Sequence, residues 1–237
     1  MATRADCFEP EQVTMEVYVS LLHDRCGEAA TAGSVPSPPL PSSSSCSVVD
    51  VGCNMGLFAA FAVSLGAQVQ CFEPSGTFAG SLSETAKHYL GRFKYHGSAV
   101  VAHADPRPFR DDGLGYRPCS IGRPAPLRSC PQVALQDILI EQNHTTLLKI
   151  DTDMNDGRLL HVATDLLTEG RITIDSILVE FGCTHPRLQK GPCQWETEDG
   201  EADQREPRGG DVHDLWRLQE MGYDVYRVNT HGAPHTT

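Results

Sequence analysis

Between Val48 and Pro74 the chain reads as strand, glycine turn, helix, strand and acid, an order that few folds satisfy. Val48, Val49 and Val51 form a short β-branched run suited to a parallel strand buried on both faces. Gly52 and Gly56 bracket a tight turn into an apolar helix from Leu57 to Leu65, which Gly66 ends. Val69 and Phe72 carry a second strand. Glu73 stands at its carboxyl end, where an acid can hold a ribose diol beside the helix amino terminus. The pattern predicts a nucleoside-binding half-fold.

The rest of the chain continues the alternation. Residues Pro10 to Gly27 predict a short amphipathic helix with Val13, Val17 and Leu21 on one face, packed over the sheet edge. From Ala29 to Ser47 the composition turns to Ala, Gly, Ser and Pro, which reads as a flexible connector. Residues 1–45 are therefore expected to be an N-terminal helix and linker, and 46–237 the main domain. A helix is expected over Thr77 to Leu90, a third strand over Ser98 to Ala102, and a long loop or weak strands over Asp105 to Pro131. Val133 to Glu141 reads as a short helix or turn, Thr146 to Ile150 as a fourth strand ending at Asp151, and Leu159 to Leu167 as a helix. Ser176 to Glu180 is the expected fifth strand. The acid-rich segment near 194–210 reads as a solvated loop, followed by a helix over Val212 to Met221 and a last strand over Tyr223 to Val228. Strands alternating with helices imply an α/β fold with a doubly wound, mostly parallel sheet.

Composition narrows the partners. The net charge of −12, from 19 basic and 31 acidic residues, leaves no basic stripe for a nucleic-acid backbone, so no nucleic-acid partner is expected. No apolar run approaches the length of a membrane span, and Met1 to Ser20 lacks a leader-like core, so cytoplasmic residence is the default expectation. The 9 cysteines contain no Cys-x-x-Cys pair, and their odd number argues against a complete disulfide framework. Cys53 and Cys71 are read as small apolar core residues rather than reactive thiols. Asn143-His144-Thr145 matches a glycosylation sequon, a triplet common by chance.

In an open parallel sheet, ligands bind beyond the carboxyl ends of the strands. Asp50 to Gly56, Glu73, Ser98, Ala99, Asp151 to Asp153 and Glu180 should therefore share one crevice. The first loop has Gly-x-x-x-Gly spacing, unlike the Gly-x-Gly-x-x-Gly of dinucleotide folds, and no Lys followed by Ser or Thr for phosphates. That weakens the nicotinamide and P-loop readings. A nucleoside without pyrophosphate, such as S-adenosylmethionine, fits better.

The motifs also resemble the FkbM-like branch of the class I methyltransferases. Asp50-Val51-Gly52-Cys53-Asn54-Met55-Gly56 is similar to that family's Asp-x-Gly-x-Asn-x-Gly loop, and Phe72-Glu73-Pro74 to its Phe-Glu-Pro. Leu147-Leu148-Lys149-Ile150-Asp151 resembles its Leu-Lys-Ile-Asp, and Ile177-Leu178-Val179-Glu180 its strand ending in Glu. The resemblance runs from about Val48 to Val228. One departure is visible: many members follow Lys-Ile-Asp with x-Glu-Gly, whereas Asp151-Thr152-Asp153-Met154 has Met in place of the glycine. The resemblance implies a seven-stranded Rossmann-like sheet and S-adenosylmethionine as cofactor. By it, Asp50, Gly52, Asn54 and Gly56 would form the cofactor loop, Glu73 would bind the ribose hydroxyls, and Ser98 and Ala99 would lie near the adenine.

Asp151 and Asp153 are the candidate catalytic carboxylates, as a general base for a substrate hydroxyl. A divalent-metal role is the lesser reading, because a hard cation needs more oxygen ligands than this segment supplies. Asp156 reads as a helix cap or an exposed residue. His103, His161 and His185 are weaker candidate bases, and Lys149 either points to the sheet surface or neutralises the acidic cluster. The expectation is an O-methyltransferase acting on a small-molecule or glycan hydroxyl. The alternative is a noncatalytic binding or scaffold protein on a degenerate fold of the same kind.

Overall fold

The computed structural model describes residues 9–31, 46–102, 131–152, 155–179, 210–229 and 232–236. Helix α1 (Glu9–Thr31) precedes β1 (Ser47–Val51), α2 (Leu57–Ser64), β2 (Gln68–Phe72), α3 (Ala79–His88) and β3 (Phe93–His96). Two short strands, β4 (Ala99–Val101) and β5 (Gln132–Ala134), lead to α4 (Leu135–Gln142), β6 (His144–Ile150), α5 (Asp156–Thr168) and β7 (Thr173–Val179). The chain then runs through α6 (Gly210–Glu220), β8 (Tyr226–Asn229) and β9 (Gly232–Thr236).

The central sheet is parallel, five-stranded among the described residues, with order β3-β2-β1-β6-β7. This is a mixed α/β, Rossmann-like arrangement. Strand order reverses between β1, which pairs with β2 on one side, and β6 on the other. In open parallel sheets such a reversal is where ligands bind, at the carboxyl ends of the strands, here those of β1 and β6.

Because side chains alternate across a strand, β1 feeds two cores. Val48 joins Ala59, Ala62 and Val63 of α2, Leu82 of α3, and Tyr18 and Leu22 of α1 on one face. Val49 and Val51 join Leu135 and Leu139 of α4 and Leu159, Ala163 and Leu166 of α5 on the other. Helix α1 is thus part of the main core, since Tyr18 and Leu22 are fully buried. Helix α6 docks on α5 through charge. Asp214, fully buried, pairs with His161 Nδ1 at 3.0 Å and accepts from Arg217 at 3.1 Å, and Arg217 also meets Asp165 at 2.7 Å.

Three expectations change. The third strand of the central sheet is Phe93–His96, where only Phe93 is fully buried, so the segment lacks the continuous apolar run of an interior strand. Ala99–Val101 instead pairs with Gln132–Ala134 in a separate two-stranded sheet. The strand expected last, β8, is followed by β9 and pairs antiparallel with it rather than joining the central sheet. The cysteines depart further: Cys53 and Cys71 are bonded to each other, and Cys26 is bonded to Cys46. They are buried, as expected of core residues, but they are not free thiols. No helix among the described residues is long and apolar enough to cross a membrane. The segments expected as a long loop after Asp105 and as an acidic loop near 194–210 lie outside the described residues, except for Pro131 and Gly210.

Candidate functional site

At the end of β1 the backbone turns through left-handed conformations at Gly52 (φ 77°), Asn54 (φ 51°) and Gly56 (φ 86°). Asn is the non-glycine residue that enters this region most readily, together with Asp. At Gly52 the requirement is also steric. A Cβ there would sit 1.7 Å from the Asp151 carbonyl oxygen, because the loop crosses directly over the end of β6. At Gly56 a Cβ would meet Leu82 Cδ2 at 2.5 Å. The loop is then pinned by backbone bonds. Gly52 and Cys53 N–H both donate to the Phe72 carbonyl (2.9 and 3.1 Å), and Gly56 N–H donates to Cys53 O at 2.7 Å.

Glu73 completes the loop. Its Oε2 accepts the Asn54 N–H at 3.0 Å and its Oε1 the Ser75 N–H at 2.7 Å. The residue is only 3% exposed. Tyr95 donates its hydroxyl to the Glu73 carbonyl at 3.2 Å, and the Glu73 N–H donates to His96 O at 3.1 Å. Beside it the His96 ring stacks on Phe72, 4.5 Å between centroids and 9° from parallel. Burial, with Lys94 acting the same way, lowers the pKa of His96.

Beneath the loop lies a charged cluster that sequence reading left open. Lys149, 4% exposed in its side chain, places Nζ 3.1 Å from Asp151 Oδ2 and 3.3 Å from Asp50 Oδ1. Its ammonium also lies 3.5 Å from the Gly52 carbonyl and 5.0 Å from the Phe58 ring centroid. Lys149 therefore neutralises the acidic cluster rather than facing the sheet surface. Burial opposes its charge, but Asp50 and Asp151 together outweigh burial, so its pKa is raised. Asp50 is fully buried, and neither carboxylate oxygen has a well-aligned protein hydrogen bond despite the ion pair. Burial pushes its pKa up against the pull of Lys149. Tyr18 of α1 is the other buried polar neighbour. Its hydroxyl has no hydrogen-bond partner among the described residues, and burial together with Asp50 raises its pKa well above the ordinary value. No sequence signal linked Tyr18 to this site, because the contact spans the connector before β1.

Asp50, Gly52, Asn54, Gly56, Glu73 and Asp151 therefore gather at the carboxyl ends of β1, β2 and β6. Within that group, Asp50 lies under the loop, while Asp151 is one-third exposed at the crevice. Ser98 is half-buried just after β3, and Ala99 belongs to the separate β4–β5 sheet, its N–H donating to Pro131 O at 2.8 Å. Asp153 and Glu180 lie outside the described residues, as do His103 and His185. Asp156 is neither exposed nor a simple cap. It is 5% exposed, and its Oδ1 accepts from the Thr152 N–H (2.7 Å) and hydroxyl (3.0 Å), fastening the segment that follows Asp151. Burial raises its pKa, with Thr152 opposing. His161 faces α6 and takes no part.

Compared with known family models and with curated proteins, the chain matches none. Among the described residues no group of three or more His, Cys, Asp or Glu is spaced to hold a metal. An open depression on the outer side of α3, lined by Glu84, Lys87 and His88 among others, contains none of the residues above.

Proposed function

We propose that the chain is an S-adenosylmethionine-dependent methyltransferase, acting on a hydroxyl of a small molecule or glycan. In this reading the five described parallel strands are five of the seven strands of the class I sheet. The observation that carries it is the loop from Gly52 to Gly56, held against Glu73 at the point where strand order reverses. The acceptor set suits a cationic nucleoside: Asp50 and Asp151 flank Lys149 below the loop, and Glu73 adds a third carboxylate at the loop itself. A carboxylate accepts about four hydrogen bonds, so holding two loop amides does not preclude accepting from ribose hydroxyls.

When bound, the cofactor supplies an electrophilic methyl group on a sulfonium. The protein's own parts divide the remaining work. Gly52 lets the loop cross the end of β6 and Gly56 lets it pass Leu82, and Glu73 fixes the loop and faces the ribose side. Asp151 offers a partly exposed carboxylate to orient an acceptor hydroxyl and take its proton. Lys149 holds that carboxylate in place from below.

The second reading, a noncatalytic binding or scaffold protein on the same fold, draws on the burial of Glu73, whose loop contacts alone would justify the residue. Calorimetry with the cofactor and its demethylated product tests both. Binding to the intact protein, weakened in Glu73→Gln, supports a nucleoside site. Glutamine retains one acceptor oxygen for the loop, so it is a cleaner probe than alanine. Absence of binding to the intact, folded protein overturns the proposal. Binding without turnover over a broad hydroxyl panel favours the noncatalytic protein.

A further inference from the structure

The bond between Cys53 and Cys71 lies within the candidate cofactor loop. Cys53 stands between Gly52, which crosses the end of β6, and Asn54, whose N–H reaches Glu73. Cys71 lies on β2, two residues before Glu73, in register with Asp50 on one side and Tyr95 on the other. Their Cα atoms are 5.8 Å apart across a sequence separation of 18, so the bond closes a ring that contains all of α2. The second disulfide, Cys26–Cys46, joins α1 to the residue just before β1, at the opposite end of the strand. The two bonds share their chemistry and differ in position.

We infer that Cys53–Cys71 is a positioning brace for the ligand loop, and that the chain acquires its binding-competent loop only where disulfides form. The inference rests on the proposed cofactor site for its ligand, but not for its geometry. Three of the loop's restraints (the Gly52 and Cys53 amides on Phe72 O and the Asn54 amide on Glu73) are single hydrogen bonds. Each is worth only about 1 kcal/mol net, or up to about 3 to a charged acceptor. A loop turning three times through left-handed backbone has alternatives, and the covalent link removes those that carry Cys53 away from β2. Both sulfur-bearing residues are nearly inaccessible, Cys53 at 3% and Cys71 at 0%, so reductants reach the bond only when the loop opens. It is thus a fixed brace and not a fast switch. In its formation the two thiols lose two protons and two electrons to an exchanging disulfide, such as oxidised glutathione, which leaves as two thiols. Oxidising compartments supply such partners, and the cytosol keeps thiols reduced.

The test uses the full chain produced under oxidising conditions. Non-reducing peptide mapping should recover the Cys53–Cys71 link; free thiols at both positions overturn the inference. Amide hydrogen exchange should be faster at position 53, Asn54 and Ser75 in Cys53→Ala/Cys71→Ala than in the intact protein. Calorimetric affinity for the demethylated cofactor should fall about tenfold if the competent loop population falls to about one tenth. Cys26→Ala/Cys46→Ala should melt earlier with loop exchange and affinity unchanged. Equal loop protection and affinity in the intact protein and the Cys53/Cys71 variant overturn the brace. A purely structural bond would not respond to ligand, but binding and bond integrity are reciprocal here. Saturating demethylated cofactor should therefore slow reduction of Cys53–Cys71 by dithiothreitol and leave Cys26–Cys46 unaffected, a measurement that needs no variant to fold. With binding established, equal slowing of both bonds overturns the inference. Reoxidation of reduced protein with oxidised glutathione should restore affinity. If the intact protein binds no demethylated cofactor, the proposed function fails while the peptide map and amide exchange still decide the brace.

Discussion

Gly52→Ala separates two effects that glycine substitutions usually confound. At Gly52 (φ +77°) and at Gly66 (φ +98°) an alanine adopts the same disfavoured left-handed region, a penalty of about 1–2 kcal/mol at each. At Gly66 a Cβ meets nothing within 4 Å, so that penalty is the whole effect. At Gly52 the Cβ would lie 1.7 Å from Asp151 O, and reaching the 3.0 Å that real contacts require means moving two backbones apart by about 1.3 Å. No side chain can rotate to relieve this. The displacement acts on the hydrogen bond from Asp151 N–H to Val51 O (3.0 Å) and on the Lys149 contact with Gly52 O. Backbone shifts of this kind cost about 1–3 kcal/mol or more, and a lost hydrogen bond about 1 kcal/mol. Gly52→Ala should therefore destabilise by about 3–6 kcal/mol, at least about 2 kcal/mol beyond Gly66→Ala. Gly56→Ala should fall between them, because its obstacle is the end of the flexible Leu82 side chain. Urea unfolding followed by far-ultraviolet circular dichroism gives all three values. A Gly52→Ala unfolding free energy within about 1 kcal/mol of that of Gly66→Ala would refute the crossing of loop and strand on which the site is built.

Tyr18→Phe removes a buried hydroxyl without a hydrogen-bond partner among the described residues, so stability should hold or rise, by up to about 1–3 kcal/mol, and a marked loss in urea unfolding would count against the burial argument. Because the folded state keeps the Tyr18 proton above the ordinary value, its stabilisation is complete below about pH 10 and lost as pH rises further, so Tyr18→Phe should blunt alkaline unfolding. Asp50 behaves in the same sense at lower pH. Its raised folded pKa means the native state binds more protons than the unfolded chain, so this contribution is complete below about pH 4 and declines as pH rises through the folded value. Asp50→Asn should flatten that slope in a pH series of urea midpoints, leaving the part due to Asp156, which has the same sign; an unchanged slope would remove Asp50 as its source. Arg217→Met would leave the fully buried Asp214 with His161 alone, which should cost about 2–4 kcal/mol and raise amide exchange along α6, and unaltered exchange there would show that the ion network does not dock the helix.

The sequence by itself determined the centre of this protein. The valine run, the glycines at 52, 56 and 66 and the acid at Glu73 each answer a backbone requirement set within a few residues, so strand, turn, helix and strand could be read in order, and the strand-end acids followed from the same periodicity. Tertiary structure decided what depends on pairing across distance. Phe93–His96 became the third strand because β2 offered it an edge, whereas the more apolar Ala99–Val101 found its partner in Gln132–Ala134. The partner of Cys53 was invisible because cysteine connectivity depends on which strands lie side by side. Lys149 could be placed only once β1 and β6 were neighbours, since its position in an apolar strand fixes its face and not the charges it meets there. The buried phenol of Tyr18, 32 residues before Asp50, came from a helix expected over the sheet edge, beyond a connector that hid which strand residues it would meet. Local conformational preference wrote the loop, and long-range packing decided which charges and sulfurs stand against it.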